Sequence, residues 1–234
     1  MNLDVLDLQA LFLTFKLACI TTTILFVLGL PIAWWLSRTE SKFKPVLEAL
    51  IALPLVLPPT VLGFYLLLAM GANGWLGKLW LSLFDTTLAF SFTGLIIGSA
   101  VYSLPFVVQP LQSAFSNVSR ELMETAAALG AGFWDRFWTV ALPSARNGAL
   151  TAVVLGFAHT LGEFGVVLMI GGNIAGETKV VSIAIYEHVE TLNYASANGL
   201  SVTLLLISFS LLLTLFVLNR NSHKSLLGSA QSNA

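Results

Sequence analysis

Charged side chains are scarce in this sequence. Asp, Glu, Lys and Arg together make up 10% of its 234 residues, whereas 56% of the residues are hydrophobic. An average soluble domain carries about 25% charged residues, so this chain lacks the polar surface that it would need to face water on all sides. The same hydrophobicity excludes a disordered chain. The sequence therefore predicts a protein whose solvent is largely lipid.

Other missing features exclude further classes of protein. The single cysteine, Cys19, leaves no internal disulfide, and a net charge of −1 provides no basic surface for nucleic acid. No Gly-x4-Gly-Lys-Ser/Thr loop occurs, because Ala72 and Leu79 stand where that pattern around Gly77 and Lys78 needs Gly and Ser or Thr. We therefore expect this chain to have no ATP site, bound cofactor, metal ion or nucleic-acid partner.

Five apolar segments, each long enough to cross a bilayer as a helix, follow one another along the chain. They cover approximately residues 11–36, 45–70, 88–115, 149–170 and 199–219. Asp4 and Asp7 precede the first segment in place of a basic n-region, so we expect an uncleaved span there. The sequence predicts an all-α integral membrane protein, a helical bundle of about five transmembrane spans. Residues 8–220 form its single domain, and residues 221–234 are expected to be a flexible cytoplasmic tail.

The second segment contains Pro54, Pro58 and Pro59. Proline breaks the hydrogen-bond ladder of a helix, and a membrane tolerates the break only where other protein groups satisfy the backbone. We therefore expect this span to be kinked and to face protein. A Gly-rich connection over about residues 71–87 follows it.

The basic residues predict the orientation. With the N-terminus outside, eight of the eleven Lys and Arg residues fall on the cytoplasmic side, and only Lys16, Lys78 and Lys179 fall outside. The opposite orientation reverses these numbers and conflicts with the positive-inside rule. We expect a multi-pass protein with its N-terminus outside and its C-terminus in the cytoplasm.

The long cytoplasmic stretch after the third segment predicts a short helix. Ser119 is a good N-cap, and Gly130 is suited to a left-handed residue that ends the helix. Val118, Leu122, Ala126 and Leu129 fall on one apolar stripe. Such a stripe either docks into a groove of a partner protein or braces the bundle at the membrane surface.

His159 and Glu163 are polar residues within the fourth segment. They are four residues apart, so a continuous helix over residues 149–170 places them on one face. At about 1.5 Å per residue from Ala145, Glu163 would lie roughly 27 Å along the helix, near the outer boundary and its water. The pair either joins helices or lines a path for a substrate.

The polar stretch before the last segment predicts a short interfacial helix within residues 177–190. Val180, Ile183, Ala184 and Tyr186 would face lipid or the bundle. Its outer side is either a docking surface for a partner or a solvated rim.

An intramembrane enzyme is a poor fit to these residues. His159-x3-Glu163 is not the His-Glu-x2-His of a zinc protease, and Ser99 lacks the flanking pattern of a serine protease. A stand-alone channel or carrier is a third class that these residues leave open.

Several motifs resemble those of a known family. Glu124-Thr125-Ala126, Gly130 and Leu142-Pro143, with Pro143 thirteen residues past the glycine, look like the "EAA…G…LP" loop of ABC importer permeases. Thr125 replaces the first alanine of that pattern. Residues 53–63 (LPLVLPPTVLG), 161–165 (LGEFG) and 172–178 (GNIAGET) resemble the permease subunits of bacterial molybdate importers.

This resemblance implies a type I ABC importer fold and a set of partners. The chain would form a homodimer in the bacterial plasma (inner) membrane, bind two cytoplasmic ATPase subunits and receive molybdate from a periplasmic or other extracytoplasmic binding protein. It would have no catalytic activity of its own. A cytoplasmic coupling helix would contact the ATPase through the loop motif: Glu121, Glu124, Thr125, Ala126, Gly130, Leu142 and Pro143. A sulfate or thiosulfate permease is the main alternative, and tungstate cannot be separated from molybdate.

Overall fold

The computed structural model describes the backbone of residues 4–231 and the side chains of residues 4–217. Within that part of the chain the regular structure is helical, with no strand. The helices are α1 (Val5–Arg38), α2 (Lys44–Val56), α3 (Pro59–Met70), α4 (Trp75–Phe84), α5 (Phe92–Ser116), α6 (Arg120–Ala128), α7 (Phe133–Arg136), a π-helical turn (Phe137–Ala141), α8 (Leu142–Ser144), α9 (Arg146–Leu161), α10 (Gly165–Gly171), α11 (Val181–Glu190) and α12 (Tyr194–Gln231).

Long apolar helices agree with the predicted bundle. By length and composition, three helical stretches of the described residues could cross a membrane alone: α1, α5 and Tyr194–Val217 of α12. Two bent pairs, α2 with α3 and Phe133–Ser144 with α9, bring the number to five if each pair forms one span. The side chains of the predicted tail, residues 221–234, lie outside the described part of the chain, and so does the backbone of residues 232–234.

The core lies where α1, α5 and α9 pack against one another. Phe115 of α5 and Trp34 of α1 meet edge to face, with ring centroids 5.2 Å apart. A second cluster joins α1, α5 and α10 through Leu17, Leu95 and Ile170, which are all buried. The outward faces of these helices carry large apolar side chains, as expected for a surface in lipid.

The second span is bent far more than a proline kink requires. The axes of α2 and α3 differ by 112° across Leu57 and Pro58. Pro54 is the only buried residue of α2, while Leu50 and Val56 are exposed. The expectation that this whole span faces protein is therefore wrong for α2 in the single chain, because the bend turns α2 away from the bundle and leaves α5 as its main neighbour.

The structure contains one helix that the sequence did not predict, and it contradicts one further expectation about local structure. The connection over residues 71–87 contains a helix, α4, which begins after Gly74 and ends at Asp85 in a left-handed conformation with φ 55°. The fourth segment is not one helix over residues 149–170, since α9 begins at Arg146 and ends at Leu161, and α10 restarts at Gly165. Gly165 packs against Pro59 of α3 so closely that a Cβ there would lie 2.8 Å from the Pro59 Cβ. This contact between distant segments accompanies the break.

Candidate functional site

The helix predicted from Ser119 to Gly130 is confirmed as α6. The Ser119 hydroxyl accepts the N–H of Leu122, which caps the first turn. Gly130 has φ +90°, and its N–H donates to the carbonyl of Ala127 at 3.0 Å. A residue with a side chain adopts that φ only at a cost, so glycine is the suitable end of this helix.

All nine residues of α6 are at least partly exposed. Leu122 and Leu129 of the predicted stripe are 55% and 84% exposed, so this apolar face points away from the bundle. Met123 is the residue of α6 that packs against the core. Val118, just before the helix, is buried. The orientation leaves most of the predicted stripe available to another molecule.

The acidic residues of α6 lie on its surface. Glu121 and Thr125 are exposed. The Glu124 Oε1 accepts from Arg120 Nε at 3.2 Å, and both side chains are largely exposed. Exposed pairs of this kind contribute little to stability. Glu124 is therefore free to exchange Arg120 for a basic residue of a partner at small cost.

The Leu142-Pro143 end of the loop motif lies in a different environment. Both residues belong to α8, which follows the π-helical turn. Leu142 donates its N–H to Phe137 five residues back, whereas Pro143 has no N–H to donate. Leu142 also packs against the core cluster of α1 and α5. One end of the motif is thus anchored in the bundle while α6 is exposed.

The structure brings His159 and Glu163 together, but not on one helix. Glu163 lies in the break between α9 and α10, with its Oε1 3.6 Å from the His159 Nδ1. The expected contact of Glu163 with water is wrong in the single chain, because the residue is only 3% exposed. The break at residues 162–164 turns the carboxylate inward instead of continuing along the helix.

Two serines of α5 satisfy the buried carboxylate. Ser99 Oγ donates to Glu163 Oε2 at 2.5 Å, and Ser103 Oγ donates to Oε1 at 2.6 Å. His159 Nδ1 lies 2.9 Å from Ser103 Oγ, and its ring stacks on Phe106 with centroids 3.8 Å apart. A carboxylate without such donors would be costly in an apolar surrounding. The four polar side chains therefore form one cluster between α5 and the end of α9.

Sequence reasoning missed Ser99 and Ser103 as partners of this pair. They are four residues apart on α5, so they share one helix face, as His159 and Glu163 were expected to do. That matching spacing of polar residues in two apolar segments was the available signal.

A cavity of about 480 Å³ adjoins this cluster. Its walls include Thr60 at the start of α3, Tyr102 of α5, and His159, Glu163 and Phe164. Polar groups on otherwise apolar walls are typical of a small-ligand site. The cavity lies between the start of α3, Tyr102 of α5 and the break that separates α9 from α10.

The outer stretch forms α11, as predicted, and carries a second polar cluster. Val180, Ile183 and Ala184 are buried and face the bundle, whereas Tyr186 is 43% exposed and donates to Glu190. His188 Nε2 lies 2.8 Å from the buried Asp7 Oδ1 of α1.

Ion pairing also fixes the segment before α11. Lys179 Nζ lies 2.6 Å from Glu187 Oε2, and Asn173 donates to the same oxygen at 2.9 Å. The hydrogen bond from Lys179 lowers the pKa of Glu187 below its usual value, and the hydrogen bond from Asn173 adds a smaller effect. The side of α11 away from the bundle is therefore an ordered polar surface.

Comparison with known proteins covers most of the chain. Residues 26–227 match the family described as binding-protein-dependent transport system inner membrane component. The molybdenum transport system permease protein ModB of Azotobacter vinelandii is 55% identical over 90% of this chain and 93% of its own length. The sulfate transport system permease protein CysT of Escherichia coli K12 is 34% identical over 86% of this chain and 73% of its own.

Solved structures show the same fold. A bacterial alginate ABC transporter, solved with a periplasmic protein carrying an alginate pentasaccharide, contains a chain that superposes with a TM-score of 0.73. The alignment covers 92% of this chain and 78% of that one at 15% identity.

Proposed function

Because the chain belongs to the family of binding-protein-dependent transport system inner membrane components, we propose that it is the permease subunit of an ATP-driven importer and forms the path by which molybdate crosses the bacterial plasma membrane. The observation that carries this proposal is the 55% identity to a molybdenum permease over nearly the full length of both chains. The helical bundle, with its exposed apolar faces, supplies the membrane part.

Sulfate is the main alternative cargo. The sulfate permease relative is 34% identical, well below the molybdenum permease. Molybdate and tungstate are nearly alike as tetrahedral dianions, so the binding protein would make most of that distinction.

Partner subunits follow from what this chain lacks. Its sequence has no phosphate-binding loop, so the energy comes from a second protein. We assign two cytoplasmic ATPase subunits, a second copy of this chain and an extracytoplasmic molybdate-binding protein to the complete transporter. The ordered polar surface of α11 suits the docking of that binding protein.

The coupling helix in this proposal is α6. Leu122 of α6 and Leu129, which directly follows it, would enter a cleft of the ATPase, and Glu124 would pair with a basic residue there. Because Leu142 is anchored in the core, a displacement of α6 would pass along α7 and the π-helical turn to the bundle.

The cluster of His159 and Glu163 would both join helices and line the path of the substrate. It joins α5 to the break after α9, and it borders the 480 Å³ cavity. A molybdate ion in that cavity would meet hydroxyl and imidazole donors, while Ser99 and Ser103 keep the Glu163 carboxylate occupied.

Uptake of radiolabelled molybdate tests the function. Cells that lack this chain should lose high-affinity uptake and regain it when the chain is restored. Excess unlabelled tungstate should compete strongly and excess sulfate weakly. Equal competition by sulfate would show that the sulfate alternative is correct, and unchanged uptake in the deletion strain would refute the proposal.

Reversal of the Glu124 charge tests the coupling helix. Glu124→Lys should reduce co-purification with the ATPase and lower uptake, while the amount of the chain in the membrane stays normal. Glu40→Lys, the same charge reversal at an exposed residue in the loop after α1, is the control and should have little effect. Normal assembly of Glu124→Lys would show that α6 only braces the bundle.

A further inference from the structure

A second cavity of about 480 Å³ lies beside the C-terminal end of α1. The contact of His188 with Asp7 lies at the other end of that helix. One wall is the last three turns of α1, including Val27, Trp34 and Arg38. The other wall is α7 and the π-helical turn, including Trp134 and Trp138. It shares no residue with the cavity beside Glu163. The proposed path therefore leaves this site unexplained.

Tryptophan is concentrated around this cavity. Four of the six tryptophans of the chain line it: Trp34, Trp35, Trp134 and Trp138. Trp35, Trp134 and Trp138 are 48%, 67% and 58% exposed, so wide indole faces remain uncovered by the chain itself. Indole rings are enriched at the depth of lipid headgroups, where one edge meets hydrocarbon and the N–H meets polar groups.

Arg38 is the one charged residue among those that line the cavity. Its Nη2 donates to the carbonyls of Phe115 and Val118 at 3.5 and 3.4 Å, and its guanidinium lies 4.8 Å from the Trp34 ring centroid. Nε and Nη1 make no hydrogen bond to any described residue. The group is thus held in place with donors left for an anion.

These features restrict what can fill the site. Water is a poor occupant because the walls are aromatic and aliphatic. A peptide would bring backbone groups that such walls cannot satisfy. An acyl chain matches the walls, and a phosphate matches the free edge of Arg38. Arg38 also ends a membrane-crossing helix, on the side that the proposed topology makes cytoplasmic, where anionic headgroups attract basic residues.

We propose that this cavity binds one anionic phospholipid of the cytoplasmic leaflet, with an acyl chain between α1 and the π-helical turn and the phosphate on Arg38. The bound lipid would cover the exposed faces of Trp35, Trp134 and Trp138. It would also contact the π-helical turn, the segment that joins α6 to the bundle.

Brominated lipids test this site, because bromine quenches tryptophan fluorescence on contact. The full chain, with Trp75→Phe and Trp80→Phe, keeps only the four tryptophans of the cavity. In nanodiscs of unbrominated phosphatidylcholine, brominated phosphatidylglycerol should reach half-quenching at about one fifth of the mole fraction that brominated phosphatidylcholine needs. Arg38→Gln should abolish this preference for phosphatidylglycerol but leave the final extent of quenching unchanged. Arg38→Lys should keep part of the preference.

A matched pair of variants tests the cavity itself. Val27→Phe fills the cavity and should reduce quenching by both lipids, whereas Leu28→Phe, an exposed neighbour on α1 outside the lining, should not. Native mass spectrometry of the assembled transporter should show a phosphatidylglycerol molecule retained per chain and lost in Val27→Phe. Equal quenching by the two lipids in the parent chain would overturn the proposal. So would absence of retained lipid in the assembly, which would mean that a second copy or the ATPase covers the cavity.

Discussion

Glu163 is a buried carboxylate in an apolar bundle, and its two serine donors make that position tolerable. Ser99 and Ser103 each donate to one of its oxygens, and His159 shares Ser103 with it. Loss of the acceptor removes the partner of the buried Ser99 hydroxyl, which costs about 1–3 kcal/mol, whereas Ser103 keeps His159 and Thr160 within hydrogen-bond distance. Loss of the imidazole leaves the carboxylate with both of its hydroxyl donors.

We predict from this asymmetry that Glu163→Ala lowers stability and transport more than His159→Ala. Glu163→Gln keeps an acceptor oxygen and should lie between the two. Membrane abundance and thermal unfolding report stability, and molybdate uptake corrected for abundance reports a role in the path. If Glu163→Ala and His159→Ala both behave as the parent chain, the cluster has neither role.

The pair of Lys179 with Glu187 predicts a dependence on pH. The folded state lowers the Glu187 pKa, so the pair stabilises the fold above the ordinary value of 4.5 and this contribution disappears as the pH falls below that value. Glu187→Gln should therefore lower the melting temperature slightly at pH 7, and its difference from the parent chain should shrink as the pH falls below 4.5. A difference that grows on acidification would contradict the assignment. Since Glu187 is partly exposed, high salt should also shrink the difference.

At the residue scale the sequence predicted that His159 and Glu163 lie together, because spacing of four brings side chains together on or near a helix. It did not predict the hydrogen-bonding partners. Those depend on how α5 packs against α9, and no local pattern specifies that contact.

Among the helices, α6 has both of its ends determined by local sequence. Ser119 caps its start, and Gly130 with φ +90° ends it. A Cβ at Gly130 or at Gly132 would meet no described atom within 4 Å, so the two positions differ in backbone conformation and not in space.

This contrast gives a matched pair of substitutions. Gly130→Ala should cost about 1–2 kcal/mol locally, because φ is positive there, and Gly132→Ala should cost less. Hydrogen exchange of the amides over residues 119–131 measures the difference. Equal protection in the two variants would show that Gly130 does not fix the end of α6.

The contact of α5 with α9 depends on a small residue. A Cβ at Gly148 would collide with the Cβ of Ala114 and lie 3.3 Å from the Pro110 carbonyl oxygen. Small residues allow such close helix contacts in membranes. Gly148→Ala should therefore destabilise the bundle by about 1–3 kcal/mol.

Two further variants isolate that effect in thermal unfolding. Ala114→Gly should recover part of the loss in the double variant, because it removes the opposing methyl group. Gly162→Ala has only contacts of 3.8 Å or longer and should be tolerated. If Ala114→Gly recovers no stability, the loss in Gly148→Ala does not come from the contact with the Ala114 methyl group.

The sequence predicted the ends of α6 well and the bends poorly. N-caps and left-handed glycines act over a few residues, so they are visible locally. The break at residues 162–164 accompanies the contact of Gly165 with Pro59, and the axes of α2 and α3 differ by 112°; both are tertiary features that no short sequence pattern shows. Helix α4 was not predicted, because its short apolar sequence lies in a connection rich in glycine.

For the whole molecule, the topology is the next testable feature. In a Cys19→Ala background, an impermeant thiol reagent on intact cells should label Asn73→Cys and Asn173→Cys but not Ser41→Cys. The eight-to-three division of basic residues supports this orientation. Labelling of Ser41→Cys, or protection of both asparagine positions, would contradict it.

Transport in a purified system tests the central claim most directly. The chain would be reconstituted in proteoliposomes with its ATPase and molybdate-binding protein, with ATP on the side of the ATPase. We predict that molybdate-loaded binding protein stimulates ATP hydrolysis and drives radiolabelled molybdate into the opposite compartment, and that both activities fall in Glu124→Lys. Molybdate movement that proceeds equally without ATP would contradict this account and would identify the chain as a channel or carrier.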